Sequence, residues 1–193
     1  IPLTEITHIV IRNRGAEPVG FTPTAAVPLY GRSADNLRYH RHVTSLLHRA
    51  RCADNGVILR PTWSFDERGH LPNRNSYFVL GMDGSGAAPR EFCTDRLGYT
   101  GEGGSLLWPE WVVDERPGVL PGAELEGRET VGALRFAPDT LGPGEEAEFW
   151  LLIGMARDGA EPVLPSVAEL SCSLDETRLW WREVSPLRFE SGR

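Results

Sequence analysis

The chain has 193 residues and a formal net charge of −7 at pH 7, with 40% hydrophobic and 24% charged residues. This length and composition are typical of a globular protein with one large domain or two small ones. The acidic balance argues against nucleic acid as a partner, because binding its phosphate backbone needs a clustered positive field. All 20 Lys or Arg positions are arginine, which excludes Schiff-base chemistry and the lysine of a phosphate-binding loop.

The three cysteines, Cys52, Cys93 and Cys172, are far apart and form no C-x-x-C pair. This pattern predicts neither a disulfide framework nor a zinc site, and it favours a reducing, cytoplasmic compartment. No apolar run approaches the roughly 18 residues of a membrane-spanning helix, and no signal peptide is recognisable, so no membrane partner is predicted. Because the chain begins at Ile1 and not at Met, we expect it to be a fragment or a processed piece.

The N-terminal region has the alternation of a β-strand. Between residues 5 and 12, Ile6, His8 and Val10 fall on one face and β-branched residues on the other, which predicts a strand. Residues 13–18 have turn chemistry. Residues 19–30 are extended but contain two prolines, which favours an edge strand or irregular structure. We expect the two segments to form a hairpin.

Residues 38–52 are the only basic segment, and two interpretations are open. Asp35 could cap a helix, but the turn sequence at residues 53–56 and the apolar run after it favour a strand and hairpin. His40, His42 and His48 suggest a metal site, yet no carboxylate has the spacing of a partner ligand. We interpret these histidines as part of a solvated strand face and predict no metal.

The second half of the chain predicts further strands at residues 77–80, 108–113, 132–136 and 148–154, with a tight turn at residues 141–144. This succession is typical of an antiparallel sandwich. Residues 166–183 differ, because their apolar residues recur at a helical period, acidic residues come early and arginines late. Ser166 is placed to cap this predicted helix.

Two charged clusters, Asp66–His70 and Thr94–Arg96, lie on either side of the strand at residues 77–80. A carboxylate beside an arginine is suited to holding sugar hydroxyls, because one only accepts hydrogen bonds and the other only donates them. The alternative is that both clusters are inert ion pairs in turns. Four acids, Asp66, Glu67, Asp95 and Glu102, could supply an acid and a base, but nothing in the sequence shows two of them facing each other.

Two other motifs carry little weight. The glycine-rich residues 101–105 resemble a phosphate cradle, but we predict no helix after them, and a cradle needs one. No G-x-S-x-G sequence is present, so no nucleophile of that type is identified. The residues alone therefore predict a β-rich module with a polar rim.

The order of these segments resembles a known family. Asn13 with its turn, residues 65–70, residues 94–96 with the glycine-rich loop and Trp108–Glu110, and residues 141–154 resemble the N-terminal β-sandwich of the cellobiose phosphorylase family, glycoside hydrolase family 94. Residues 31–36 and 41–49 resemble its 1,2-β-oligoglucan phosphorylase branch, and residues 180–192 its linker to a catalytic barrel. Arg68-Gly69 replaces an arginine doublet, and Cys93 a common aspartate, so the acceptor sugar stays open.

The resemblance implies an all-β fold, an antiparallel β-supersandwich of the galactose-mutarotase-like type over residues 1–164. A linker helix over residues 165–193 would lead to an α/α-barrel. The implied activity is inverting phosphorolysis of a β-linked gluco-oligosaccharide, with inorganic phosphate as co-substrate, no cofactor, and the general acid in the barrel.

The implied roles place no catalytic residue in this chain and make the parent enzyme a homodimer. The expected substrate-binding residues are Glu67, Arg68, His70, Asp95, Arg96 and Glu102. A free-standing carbohydrate-binding module and a structural dimerisation domain are the alternatives.

Overall fold

The computed structural model describes residues 3–31, 41–66 and 69–185. Antiparallel strands form most of this part of the chain. The strands are β1 (Leu3–Arg12), β2 (Val19–Phe21), β3 (Thr24–Leu29), β4 (His48–Ala53), β5 (Gly56–Pro61), β6 (Trp63–Asp66), β7 (Gly69–Pro72), β8 (Ser76–Asp83), β9 (Glu91–Asp95), β10 (Glu124–Glu126), β11 (Thr130–Arg135), β12 (Asp139–Leu141) and β13 (Glu146–Ala156). The helices are α1 (Arg41–Ser45), α2 (Arg96–Thr100), α3 (Glu110–Val113) and α4 (Val167–Val184).

A six-stranded sheet in the order β1-β13-β8-β5-β4-β10 faces a three-stranded sheet in the order β3-β11-β9. Between them, Val57, Leu59 and Val79 of the larger sheet meet Phe92 and Leu134 of the smaller one. All five are fully buried, and each buried side chain of this size stabilises the fold by about 1.5–3 kcal/mol. The prediction of an all-β antiparallel supersandwich with a C-terminal helix is confirmed.

The predicted strand at residues 5–12 is confirmed, but its predicted hairpin partner is wrong. β1 pairs with β13, and β2 pairs with β12. Asn13 explains the change of direction, because its side-chain amide donates to the carbonyls of Glu17 and Leu141, at 2.8 and 2.9 Å. The turn after β1 is therefore tied to the chain near β12, and β1 is left to pair with the end of the domain.

The β4-β5 hairpin and its turn are confirmed, but the preferred strand over residues 38–52 is partly wrong because α1 precedes it. The interpretation of His48 as solvated is also wrong. His48 is buried, and its Nδ1 lies 3.2 Å from the Arg128 carbonyl oxygen. Alternate residues of β4 face the core, so this imidazole needs a polar partner there. The side chains of His40 and His42 lie outside the described part.

The predicted strand at residues 108–113 is wrong. Pro109 instead precedes the single-turn helix α3, with Glu110 in its first turn, an arrangement that the fixed φ of proline and the helix dipole favour. The expectation that no helix follows the glycine-rich turn is wrong for the same reason. Within α3 the side chain of Trp111 is buried, and its ring centroid lies 5.8 Å from that of Tyr99.

The predicted C-terminal helix is confirmed as α4. Ser166 and Glu169 form a reciprocal capping box, with the Ser166 N–H 2.9 Å from a Glu169 oxygen. The Ser166 hydroxyl bond to this carboxylate lowers the pKa of Glu169. Leu170 is buried against Phe78 and Leu152 on the outer face of the six-stranded sheet. No helix in the described residues combines the length and apolar content that crossing a membrane requires.

We expect Ser166→Ala to destabilise α4 by about 1 kcal/mol, because it removes the cap of the first turn. The control is Ser173→Ala, in the middle of the same helix and exposed, which should be neutral or slightly stabilising. Two measurements compare the stability of both variants: thermal unfolding monitored by circular dichroism, and amide hydrogen exchange in α4. Equal effects of the two substitutions would contradict a capping role.

Candidate functional site

The candidate site is built where β9 runs into α2. Asp95 is the N-cap of α2, and its Oδ1 accepts a hydrogen bond from the Leu97 N–H at 3.1 Å. Its Oδ2 accepts a hydrogen bond from Arg128 at 2.8 Å. Both carboxylate oxygens of Asp95 are therefore engaged by protein groups.

Glu129, the residue after Arg128, holds Arg96 in place. The guanidinium of Arg96 donates to Glu129 at 2.6 Å, its backbone N–H donates to the Glu129 carbonyl at 3.0 Å, and the two side chains are 26% and 22% exposed. Arg96 Nε is buried without a hydrogen-bond partner. Two adjacent charge pairs thus fasten the end of β9 to the residues before β11. Contact of Asp95 and Arg96 with a sugar stays a prediction.

The other predicted site residues are dispersed. Glu102 is exposed and lies in the loop that follows α2. Asp95 and Arg96 lie at the start of the same short helix. His70 is exposed on β7, in a separate two-stranded sheet with β6. Glu67 and Arg68 lie outside the described residues.

A largely buried charge cluster that the sequence did not reveal centres on Arg135 of β11. Its side chain is only 11% exposed, and it donates to Glu91 at 3.0 Å. It also donates to the carbonyls of Trp111 and Arg116, at 2.7 and 2.9 Å. In the sequence Arg135 has the pattern of an ordinary strand residue, and none of its partners is near it.

The same cluster includes a ring contact and a second acceptor. The Arg135 guanidinium carbon lies 3.7 Å from the centroid of the Trp111 ring, a cation–π distance. The other Glu91 oxygen accepts a hydrogen bond from the Gly118 N–H. Arg135 and Glu91 together fasten both ends of residues 111–118, including part of α3, to the three-stranded sheet.

Residues 101–109, which we call the tip loop, project between α2 and α3. Gly101 begins the loop at φ +78°, and a Cβ there would lie 1.8 Å from the Glu110 carboxyl carbon, so only glycine fits. Within the loop the Trp108 N–H donates to the Ser105 carbonyl at 3.2 Å. Leu107 is 94% exposed and Trp108 is 69% exposed. An ordered turn that presents apolar side chains is typical of an interaction site.

The described residues give little support for a reactive thiol at Cys52 or Cys93, or for a metal site. Burial raises the pKa of both Cys52 and Cys93 to about 11, so neither thiol is an effective nucleophile near neutral pH. In the part of the chain that the structure describes, no three His, Cys, Asp or Glu side chains are grouped to hold a metal ion.

Comparison with protein-family profiles matches residues 3–171 to the family described as "Glycosyl hydrolase 94, supersandwich domain". The chain belongs to the glycosyl hydrolase 94 family. Within that family it is the N-terminal supersandwich domain of the glycoside phosphorylase type. No curated protein matches the chain.

In this glycosyl hydrolase 94 domain we expect Arg135→Ala to lower the free energy of unfolding by about 3 kcal/mol. This is the low end of the range for breaking a buried ion pair, because Glu91 keeps 28% exposure and partial solvation. The matched control is Arg128→Ala, whose 61% exposed side chain pairs with Asp95 and should contribute at most about 1 kcal/mol. Urea unfolding measures both. A loss for Arg135→Ala no larger than the control would contradict the clamp.

Proposed function

We propose that this chain is the non-catalytic N-terminal domain of an inverting glycoside phosphorylase. The parent enzyme cleaves β-linked gluco-oligosaccharides, with β-1,2 linkage as the preferred assignment, and transfers the sugar to inorganic phosphate as an α-sugar 1-phosphate. The supersandwich over residues 1–164 helps to form the substrate site and the dimer, and residues 165–193 lead to an α/α-barrel that holds the general acid.

The observation that carries this proposal is the family match over residues 3–171, and the course of α4 supports the linker part of it. The family match ends at residue 171, but α4 continues to Val184. Its apolar stripe begins with Leu170 and Leu174 packed on the sheet, and it continues at the same spacing with Trp181 and Val184, which are 57% and 49% exposed. A stripe that is half packed and half uncovered is what a helix needs to join one folded unit to the next.

The contacts of Asp95 support a non-catalytic role for this residue. A general acid for glycoside cleavage needs a free position at the leaving oxygen. The carboxylate of Asp95 is fully engaged by Leu97 and Arg128.

The exposed aromatic residues favour a domain role over a free-standing sugar-binding module. Such a module would present several aromatics on one sheet face. In the described residues the exposed tryptophans lie on different elements, with Trp63 on β6, Trp108 in the tip loop, and Trp180 and Trp181 on α4. Trp108, Trp180 and Trp181 are better placed to contact a neighbouring domain.

The isolated chain is expected to release no sugar 1-phosphate from β-linked gluco-oligosaccharides, because the acid and the phosphate pocket belong to the barrel. The parent enzyme is expected to release it only when inorganic phosphate is present, and faster from β-1,2-linked than from β-1,4-linked glucose oligomers. Assays of product release with and without phosphate compare the two proteins. Phosphate-dependent turnover by the chain alone would end the proposal.

Arg68 provides a test of the acceptor side of the site. In the parent enzyme, Arg68→Ala should lower kcat/KM by roughly ten- to a hundredfold, because a charged hydrogen bond to a sugar contributes about 1.5–3 kcal/mol. The control is Arg74→Ala, an exposed arginine of the same region. If Arg68 only pairs with Asp66 or Glu67, stability should change by less than about 1 kcal/mol and the kinetics should be unchanged.

A further inference from the structure

β1 forms one edge of the six-stranded sheet, and within the described residues its strand partner is β13. At the end of this ladder Asn13 donates its N–H to the Glu145 carbonyl at 3.0 Å and accepts from the Gly144 N–H at 2.9 Å. In a strand, the backbone N–H and C=O groups of successive residues point to opposite edges. The odd-numbered residues of β1, like Asn13, therefore direct these groups to β13. The even-numbered residues direct theirs to the open edge: Thr4, Ile6, His8, Val10 and Arg12.

This edge lacks most of the features that prevent strands from pairing. β1 contains no proline and no lysine, and it pairs with β13 through ten consecutive residues without a bulge. Long, regular edges of this kind are templates for another strand. The occupant must supply an extended backbone, because the groups offered are a regular row of N–H donors and C=O acceptors.

A groove of about 800 Å³ lies beside this edge, between β1 and α4. Its lining includes Thr4 and Ile6 of β1, Leu152 of β13, and Leu170, Ser173 and Thr177 of α4. The groove thus accompanies the first half of β1. The second half of the strand instead presents Val10, an apolar side chain that is 46% exposed.

We propose that β1 pairs antiparallel with β1 of a second copy of this chain, which joins two six-stranded sheets into one continuous sheet. A two-fold axis perpendicular to the sheet brings even-numbered residues opposite even-numbered residues, so open backbone groups meet open backbone groups. Centred on His8, this register places Val10 opposite Ile6 of the partner subunit. The exposed valine then lies at the partner's groove between β1 and α4.

The glutamate and the arginine of β1 are compatible with this pairing, and His8, whose Nε2 lies 3.1 Å from Glu148, comes opposite His8 of the partner subunit. Glu5 comes opposite Ile11 of the partner subunit, and Arg12 comes opposite Thr4 of the partner subunit, so neither charge faces its own copy. The inference gives the dimerisation part of the proposed function a specific interface, and it rests on no part of the sugar chemistry. The oligomeric state and the phosphorylase activity can therefore fail separately.

Val10→Pro in the full chain tests the interface, because it removes one open N–H of the edge and leaves the β1-β13 ladder intact. The matched control is Ile9→Pro, at a residue whose N–H faces Phe149 of β13. We expect the wild type to be a dimer by light scattering at micromolar concentration and Val10→Pro to be a folded monomer. Ile9→Pro should lower the thermal unfolding midpoint well below that of Val10→Pro.

Residue-resolved amide exchange gives a second readout. In the wild type the amides of Ile6, His8 and Val10 should become protected as concentration rises, whereas those of Thr7 and Ile9 should be protected at all concentrations. A wild type that is monomeric throughout this range would overturn the proposal. So would a dimer that survives Val10→Pro, or edge amides that are protected in the monomer, because another strand would then occupy the edge.

Discussion

The buried guanidinium of Arg135 is the interaction on which the region around the tip loop depends. Removing a guanidinium from water costs several kcal/mol unless its donors are satisfied. Here the donors are satisfied by Glu91 and by the carbonyls of Trp111 and Arg116, and the ring of Trp111 covers one face. Glu91 lies on β9, whereas Trp111 and Arg116 lie in and just after α3, so the charge is fully satisfied only when these two parts of the chain have come together. Assembly fixes the position of α3 and thereby the base of the tip loop.

Sequence patterns predicted the strands and helices better than they predicted which strands pair with each other. Alternation identified β1, and Ser166 with the helical apolar period and early acidic residues after it identified α4, because both signals are local. The pairing of β1 with β13 could not be predicted, since turn residues after a strand do not show whether the chain returns to it. The apolar run at residues 108–113 was misassigned because burial of Trp111 in a one-turn helix leaves the same apolar pattern as a short strand.

The same distinction applies to the candidate site. Asp95 and Arg96 could be singled out from the sequence, and the structure places them at a helix start, where a carboxylate is favoured. Their partners, Arg128 and Glu129, are 33 positions further along the chain and carried no signal. The role of Arg135 was hidden for a related reason: a charged residue in a strand is normally solvated, and only the folded arrangement shows that this one is largely removed from water.

The ladder between β1 and β13 also affects how the protein folds during synthesis. Its pairs run from Leu3 with Met155 to Arg12 with Glu146, so β1 is synthesised long before the strand with which it pairs. Until β13 has been synthesised, both edges of β1 are open to pairing with other strands. Pairing between residues so far apart in the sequence makes completion of the sheet slow, although the entropy cost of closing the loop grows only slowly with its length. Truncation before Glu146 would therefore leave β1 without its native neighbour while the core strands were already present.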